Sequence, residues 1–558
     1  MSSRNDFSRR DFLRGVGAAA LAASAVVRSS GALAGHRADP FQHGVASGDP
    51  LADRVIIWTR VTPHHHGPVL VHWEVALDPR FRRVIRRGRV LTNAHRDYTV
   101  KVDVMGLRPD ARLFYRFRAL GDASPVGRTR TLPAAGVEQV KLAVFSCANY
   151  PAGYFHAYGD AARQEDVFAS VHLGDYLYEY ERGGYASEDA ENLGRQVEPA
   201  GELLTLDHYR RRHAQYRTDP DLQALHAAMP MIAVWDDHEI SNDTWRDGAE
   251  NHDEATEGSF ADRRSAAIRA YHEWLPTRVP DRDSPDRIYR AFQFGDLLSL
   301  YMLDTRVIGR DRQLDYANYF GPAGFDAAAF AADMADQGRQ MLGIEQSYWL
   351  QQQMAQSTAT WDLLGQQVLM ARMDIPAPLV LGQISFTDYS TLVFKAQSGL
   401  PLTPQEQAIL AQPAIPYNLD AWDGYAVARE AVLGTARALD KNLVVLAGDT
   451  HNAWASDLDD HAGNAVGVEF ATPGVSSPGL EAYFPNENPL AVAAGLTQII
   501  GPLQYANTHQ RGYMIVSATP DECSAEWRYV STVKQAEHDM IQGPTLRTLP
   551  GAGNRRIL

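Results

Sequence analysis

Four apolar runs in the chain are each followed, within a few residues, by side chains that can bind a metal ion. The runs are residues 141–145, 171–173, 232–234 and 443–447, and they are typical of buried strands. The side chains that follow them are Cys147; Asp175 and Tyr178; Asp236, Asp237 and His238; and Asp449 and His451. In open α/β sheets, ligands collect beyond the carboxyl ends of the strands. The pattern therefore predicts one polynuclear metal site.

Each group taken alone also has a structural explanation. Cys147 fits a small core residue, and Asp175 fits the N-cap of a helix that Glu179 supports. His451 fits a core histidine with satisfied hydrogen bonds. The carboxylates of residues 236–237 are different, because adjacent buried carboxylates repel each other unless a cation lies between them. Four such groups after four strands favour metal binding over unrelated structural roles.

Two further residues are candidates near these groups. A strand that ends in Met302 is followed by Asp304 and Arg306. Arg306 suits contact with a phosphate oxygen of a substrate, and a structural pairing of Arg306 with Asp304 is an equally good interpretation. Asn242 offers an amide oxygen a few residues after the third group.

Composition and charge restrict the kind of partner. The chain has 558 residues, 45% of them apolar, and a formal net charge of −15. This acidic balance argues against general attraction to nucleic acid, and the sequence contains no recognisable nucleic-acid-binding module. Beyond the N-terminus, no stretch is long and apolar enough to span a bilayer. A small anionic substrate is still compatible, because bound cations would offset the acidic groups locally.

Residues 1–34 are typical of a twin-arginine signal peptide. Arg9 and Arg10 stand directly before Asp11-Phe12-Leu13, a mildly apolar run follows, and Ala32-Leu33-Ala34 forms a cleavage site. The alternatives are an ordinary membrane anchor or a general secretory signal. The motif predicts export through the twin-arginine machinery to the periplasm or outside the cell. In that compartment one disulfide between the two cysteines, Cys147 and Cys523, is a further possibility.

The rest of the chain divides into segments of different pattern. Residues 40–135 carry short β-rich runs separated by turns and predict an N-terminal β-sandwich domain. Residues 138–534 alternate apolar strands with helical stretches, including 262–275 and 343–354, and predict a layered α/β catalytic domain. Residues 535–558 form a peripheral tail. The sequence leaves open whether residues 313–416 cover the site as a lid.

These motifs, in this order, resemble the alkaline phosphatase D (PhoD-like) family. The resemblance covers most of the chain and rests on the segments 43–50, 58–60, 145–147, 174–179, 235–239, 303–306, 448–451 and 469–470. It implies the four-layer sandwich of the calcineurin-like metallophosphoesterases, in which two β-sheets are flanked by helices. The chain departs from the wider superfamily at Cys147, where an Asp-x-His is usual, and at Asp237 and Asp449, where the usual residues are Asn and His.

The resemblance also implies the metals and their ligands. It implies Fe³⁺ held by Cys147, Asp175, Tyr178 and His451. It implies Ca²⁺ held by Asp175 as a bridge, together with Asp237 and Asp449. The shares of Asp236 and Asn242 in the second site are left open. Carboxylates in place of imidazoles suit a harder, oxygen-preferring cation.

The expected activity is hydrolysis of phosphate monoesters, diesters or both by a metal-held hydroxide. By the same resemblance, His238 contacts the substrate or protonates its leaving group, and Arg306 is the candidate substrate-binding residue. One alternative is a phospholipase D-like hydrolase that acts on lipid head groups. The other is a secreted binding protein with a closed, structural metal site.

Overall fold

The computed structural model describes residues 39–279, 284–322 and 324–558. The predicted signal peptide, residues 1–34, lies outside this described part. Residues Pro40–Leu558 belong to one unit. Among the described residues, no helix combines the length and the apolar character that crossing a membrane requires.

The described strands, in chain order, are β1 Val45–Gly48, β2 Arg54–Arg60, β3 Val69–Ala76, β4 Val84–Thr92, β5 Thr99–Met105, β6 Arg112–Ala119, β7 Asp122–Ala123, β8 Gly127–Arg130, β9 Val140–Phe145, β10 Ala169–His172, β11 Met231–Ala233, β12 Arg290–Phe294, β13 Leu298–Met302, β14 Phe320–Gly321, β15 Gly324–Phe325, β16 Trp361–Gly365, β17 Asp374–Pro376, β18 Ala414–Pro416, β19 Leu443–Ala447, β20 Ala453–Asp459, β21 Ala465–Ala471, β22 Leu503–Asn507, β23 Gly512–Ala518, β24 Cys523–Val530 and β25 Met540–Thr548. The described α-helices are α1 His156–Ala162, α2 Leu206–Tyr216, α3 Pro220–Ala228, α4 Glu254–Glu257, α5 Phe260–Trp274, α6 Ala327–Met334, α7 Gly343–Gln356, α8 Ala377–Val380, α9 Phe386–Gln397, α10 Pro404–Leu410, α11 Ala426–Ala438 and α12 Pro489–Ile499.

Two large sheets form the centre of the molecule. The first has nine strands in the order β25-β24-β23-β9-β10-β11-β1-β2-β5, and the second has seven in the order β12-β13-β16-β19-β21-β20-β22. In the first sheet β9, β10 and β11 are parallel neighbours. In the second sheet β13, β16, β19 and β21 are parallel. The carboxyl ends of these strands are where the sequence places its candidate ligands.

The two sheets pack face to face, with helices on their outer faces. Strand β19 shows the arrangement, because its side chains alternate between two cores. Val444 and Leu446 belong to the core between the sheets, whereas Val445 belongs to the outer core that includes Leu350 of α7 and Val432 of α11. Helices α1, α2, α3 and α5 contribute buried residues on the first sheet's side. The predicted four-layer fold is confirmed.

The N-terminal strands form the predicted β-sandwich, and one of its two sheets continues into the catalytic fold. β1, β2 and β5 extend the nine-stranded sheet, and only β3, β4, β6, β7 and β8 form a sheet of their own. A buried cluster that includes Val55 and Ile57 of β2 and Val71 and Val75 of β3 joins the two sheets. The β-sandwich therefore shares one of its sheets with the catalytic fold. This sharing ties the N-terminal segment rigidly to the strands that carry the ligands.

Other sequence-based expectations can be compared with the observed elements. The two predicted helices are confirmed as α5 and α7. The C-terminal tail contributes β25, the edge strand of the nine-stranded sheet, so its backbone is integrated into the fold. Cys147 and Cys523 are both buried and free, so the structure contains no disulfide between them.

Candidate metal centre

Three neighbouring parallel strands deliver the first three groups of candidate ligands. Cys147 follows β9, Asp175 follows β10 and Asp236 follows β11. The loops are joined directly, because the backbone N–H of Cys147 donates to Gly174 (3.2 Å). A Cβ atom on Gly174 would lie 2.4 Å from the Cβ of Asp236, and its φ of +114° also disfavours other residues. Glycine at position 174 thus allows two ligand loops to touch.

One buried carboxylate holds two of these loops together. Glu239 accepts hydrogen bonds from the backbone N–H groups of Asp175 (3.1 Å), Tyr176 (2.5 Å) and Asp236 (2.7 Å). Backbone N–H groups that are buried inside a protein need a hydrogen-bond acceptor, and the Glu239 carboxylate supplies it for all three. The side chain of Glu239 therefore fixes the backbone from which Asp175 and Asp236 extend.

The fourth group reaches the same place from the opposite sheet. Asp449 and His451 lie between β19 and β20. The two sheets approach closely here, since Ser146 forms a β-bridge with Gly474 and a Cβ on Gly448 would lie 2.7 Å from the Cβ of Ser146. Ligands from distant parts of the chain are brought together by this contact between sheets.

Four of the candidate ligands have a left-handed backbone conformation. The φ angles are +60° for Cys147, +53° for Asp175, +61° for Asp449 and +59° for His451. Residues other than glycine rarely adopt this conformation, and such strained positions cluster at functional sites. The packing of the sheets thus holds these four side chains in orientations that local preference alone would not select.

The candidate iron ligands lie together. A sulfur, a carboxylate oxygen and a ring nitrogen from Cys147, Asp175 and His451 all lie within 4.8 Å of one another. The Tyr178 hydroxyl lies 3.0 Å from Oδ2 of Asp175 and 3.1 Å from Nε2 of His451. Ser477 donates a hydrogen bond to the same hydroxyl (2.8 Å). The structure therefore brings thiol, carboxylate, phenol and imidazole to one point.

Hydrogen bonding determines which nitrogen of His451 is available. Nδ1 lies 2.8 Å from the carbonyl oxygen of Pro478, which can only accept, so Nδ1 carries the hydrogen. Nε2 of the neutral ring then presents its lone pair toward Tyr178. Burial favours the neutral form, because it lowers the pKa of His451 to about 3. This arrangement is typical of metal-binding histidines, in which a carbonyl fixes the ring orientation.

A second group consists of carboxylates alone. Oxygens of Asp175, Asp236, Asp237 and Asp449 lie within 4.8 Å of one another. Three of these buried oxygens, Oδ1 of Asp175, Oδ2 of Asp236 and Oδ1 of Asp237, have no hydrogen-bond partner among the described residues. A buried carboxylate oxygen without a donor is costly, and a cation satisfies it. Asp236, whose share the sequence left open, is therefore part of the cluster.

The electrostatics of the cluster also favour cations. Burial raises the pKa of Asp175 and of Asp236 well above the usual range, and neighbouring carboxylates raise both further. Burial likewise raises the pKa of the Cys147 thiol and of the Tyr178 phenol, and the charge of Asp175 adds to both shifts. Without cations, the site thus disfavours the carboxylate, thiolate and phenolate forms that metal binding requires. Multivalent cations reverse this effect, so the residues present fit a site for multivalent cations.

The surroundings of Arg306 differ from the structural pairing that the sequence offered. Its side chain is fully buried, with Nε donating to Asp236 and Nη1 donating to Asp420 (2.8 Å). Asp304 does not pair with the guanidinium; it accepts the backbone N–H of Arg306 (2.9 Å). The structural Asp304–Arg306 pairing is therefore wrong. Nη2 has no hydrogen-bond partner among the described residues and lies 3.6 Å from Asp449.

His238 is held next to the carboxylates by a second buried acid. Its Nδ1 lies 2.8 Å from Oε2 of Glu179, and a ring nitrogen lies within 4.8 Å of the oxygens of Asp175 and Asp237. Burial opposes protonation, but Asp237 and Glu179 together raise the pKa of His238 well above its usual value. These two carboxylates therefore favour the protonated form of His238. Asn242 lies nearby, yet its amide oxygen accepts a hydrogen bond from Tyr180 instead of facing the cluster (3.2 Å).

Sequence reasoning missed several residues that position the ligands. Residues 175–179 are not helical, so the interpretation of Asp175 as a helix N-cap supported by Glu179 is wrong. Glu179 orients His238 instead. Ser477 orients Tyr178 from 299 residues away, and Pro478 orients His451 from 27 residues away; no local pattern could have indicated either contact. Asp420 pairs with Arg306 from 114 residues further along the chain.

Comparisons with known proteins show the family and the fold of the chain. The family model described as "PhoD-like phosphatase" matches residues 142–527, and the one described as "PhoD-like phosphatase, N-terminal domain" matches residues 27–133. Alkaline phosphatase D of Bacillus subtilis (strain 168) is 34% identical over 557 residues, which is 95% of this chain and 86% of that protein. A solved structure of PhoD is 32% identical, has a TM-score of 0.75, and covers 93% of this chain and 92% of its own.

Proposed function

This chain belongs to the PhoD-like phosphatase family and is a phosphoric ester hydrolase, and we propose that it hydrolyses phosphate monoesters, diesters or both with the aid of bound cations. The observation that carries the proposal is the convergence of ligands from both sheets. Cys147 and His451 form one group of potential ligands with Asp175, and Asp236, Asp237 and Asp449 form another with the same Asp175, although these residues follow different strands. An exclusively structural metal site would not need so many carboxylates around a single bridge residue.

We propose Fe³⁺ at Cys147, Asp175, Tyr178 and His451, and Ca²⁺ at Asp175, Asp237 and Asp449, with Asp236 as a further ligand. Phenolate, thiolate and carboxylate suit a trivalent ion, and an all-oxygen set suits calcium. When bound, the cations would supply Lewis acidity, which activates water and offsets the charge that develops on phosphoryl oxygens.

The chain's own residues would complete the reaction. His238, kept protonated by Asp237 and Glu179, is the proposed general acid that gives a proton to the leaving oxygen. Glu179 is a positioning residue, because it touches the imidazole and not the substrate. Arg306 remains the proposed substrate contact through Nη2, whose hydrogens are otherwise unused, while its other nitrogens hold Asp236 and Asp420.

Initial rates on three substrates test the proposed function. We expect the metal-loaded protein to hydrolyse a chromogenic monoester and a simple phosphodiester, and to lose this activity when a chelator removes the cations. Phosphatidylcholine serves as the third substrate. A preference for the lipid by orders of magnitude would show that the protein is a lipid head-group hydrolase. Full activity after complete metal removal would contradict the metal-assisted mechanism.

The pH dependence of a Glu179→Gln variant tests the general acid. A group that must be protonated supports activity below its pKa and fails as the pH rises through it. Loss of the Glu179 charge lowers the pKa of His238, so the alkaline limb of the kcat profile should move to lower pH. We expect kcat to fall about tenfold on an alkyl monoester, and less on an aryl ester with a good leaving group.

The matched control for this variant is Glu250→Gln. Glu250 accepts a hydrogen bond from the side-chain amide of Asn242 and does not touch His238. The alkaline limb of the kcat profile of Glu250→Gln should therefore stay in place. An unchanged limb in Glu179→Gln would mean that another group donates the proton.

We also propose that the protein is exported through the twin-arginine pathway. The support is the motif around Arg9 and Arg10, followed by a small-residue cleavage site at residues 32–34. A folded metalloprotein suits this route, because the cations can be bound before the chain crosses the membrane. The functional location would then be the periplasm or the extracellular space.

A further inference from the structure

The charge of the chain is distributed very unevenly. Residues 40–135 carry 16 Lys and Arg side chains against 8 Asp and Glu, a formal charge of +8, and 15 of the 16 are arginines. Residues 136–558 carry 31 basic against 57 acidic side chains, a formal charge of −26. Residues 40–135, which carry the positive charge, supply all strands of the five-stranded sheet. The proposed hydrolysis does not use this asymmetry.

Part of this positive charge forms a flat array on the outer face of the five-stranded sheet. In the β3–β4 and β3–β6 pairings, His72 lies opposite both Arg89 and Arg118, and Glu74 lies opposite both Arg87 and Arg116. Directly paired residues lie on the same face of a sheet. These four arginines thus form two rows across three strands, which we term the arginine face.

The arginine face points away from the core. The alternate residues of the same strands, such as Val71, Val75 and Phe117, are buried in the cluster shared with the nine-stranded sheet. On the outer side Arg87, Arg89 and Arg118 are exposed. Glu74 pairs with Arg116 and Arg118 and offsets one of the four charges. The remaining positive charge faces solvent.

An apolar pair continues the same face. Leu70 and Leu91 lie opposite each other, two residues beyond His72 and Arg89 along their strands. They are 43% and 61% exposed. Exposed leucines beside a cationic array serve no purpose in binding a small ion in water. A surface of arginines and leucines is complementary to the head-group region of a lipid bilayer, where phosphate groups lie next to hydrocarbon chains.

We propose that the arginine face, with Leu70 and Leu91, docks the protein on the surface of an anionic phospholipid bilayer. Charge complementarity is the main argument, because clustered basic side chains are attracted to anionic lipid head groups. Arginine binds phosphate in a bidentate manner and accounts for all four basic residues of the rows. The array extends across three strands, so it presents a surface and not a line to a partner. Docking is independent of the metal centre and of catalysis.

Vesicle flotation with the full chain tests the proposal. The vesicles contain phosphatidylcholine alone or with 30 mol% phosphatidylglycerol, at low and at high NaCl concentration. We expect binding to the anionic vesicles at low salt, loss of binding at high salt, and little binding to phosphatidylcholine. The variant Arg87→Gln/Arg89→Gln/Arg118→Gln should bind about a hundredfold more weakly, because each basic residue contributes roughly fivefold.

A control with the same charge change separates the face from net charge. Arg163→Gln/Arg547→Gln/Arg556→Gln removes three partly exposed arginines elsewhere and should bind anionic vesicles like the unchanged protein. Leu70→Ser/Leu91→Ser should weaken binding and leave its salt dependence intact. All three variants should keep the unfolding midpoint of the unchanged protein and its rate of monoester hydrolysis in solution. These two measurements establish that the variants are folded.

Several results would overturn the proposal. Equal weakening by the two triple variants would mean that net charge alone acts. Binding to linear polyphosphate or DNA, without binding to anionic vesicles, would make a linear polyanion the partner of the arginine face. No preference for phosphatidylglycerol over phosphatidylcholine would exclude docking by charge.

Discussion

The Asp175→Asn variant is expected to lose at least about a thousandfold in kcat/KM toward a phosphoester and to bind less iron and less calcium. The reason lies in its position. All three groups of potential ligands found among the described residues contain Asp175, so this carboxylate is the proposed bridge between the two cations. Removal of one preorganised electrostatic contact typically costs a hundredfold to a thousandfold, and here two cations lose a ligand. Kinetics and elemental analysis on the same preparation measure both effects.

The same substitution should have the opposite effect on the stability of the metal-free protein. Burial and neighbouring carboxylates raise the pKa of Asp175, so its ionised form destabilises the folded state at neutral pH. Asparagine removes that charge. After chelation, the urea midpoint of Asp175→Asn should therefore be higher than that of the unchanged protein, whereas with metals bound it should be lower.

Asp362→Asn is the matched control. Asp362 is a buried carboxylate in β16 that accepts a hydrogen bond from Tyr301 (2.7 Å) and belongs to none of the ligand groups. Its variant should keep its metals and most of its activity. If Asp175→Asn retained both metals and nearly full activity, the proposed bridge would be wrong.

The second large effect concerns Tyr178 and colour. With Fe³⁺ bound, the purified protein should absorb visible light through charge transfer from the Tyr178 phenolate, and Tyr178→Phe should abolish this band. Burial and Asp175 raise the pKa of Tyr178, so only a strongly charged cation would hold the phenol ionised at neutral pH. We expect kcat/KM to fall about a hundredfold, because an incomplete ligand set weakens the Lewis acid.

Tyr185→Phe provides a control within the same site. The Tyr185 ring stacks on that of Tyr178 with centroids 6.0 Å apart, and its hydroxyl lies 3.1 Å from Nδ1 of His451. It is not a proposed ligand, because the metal-facing nitrogen of His451 is Nε2. Its variant should keep the visible band. A band that survives Tyr178→Phe and disappears in Tyr185→Phe would transfer the ligand role to Tyr185.

The amino-acid sequence was enough to predict the types of candidate ligand, their order and the strands that carry them. Strand β19 spans the predicted residues 443–447, and the helix predicted near residues 262–275 is α5. Such predictions succeed because a buried strand or an amphipathic helix leaves a periodic pattern within a few residues. The adjacent carboxylates at 236–237 pointed to a cation for a similar local reason, since their repulsion depends on neighbours in the chain.

Only the tertiary structure decided how those residues act together. The left-handed backbone at Cys147, Asp175, Asp449 and His451 is a feature of the folded loops that follow the strands, and the periodic pattern of the sequence does not indicate it. The pairing of Glu179 with His238 and of Arg306 with Asp236 joins residues 59 and 70 positions apart. Local periodicity carries no information about such distances. Burial and close approach set these charges and orientations, and both exist only once the sheets have packed.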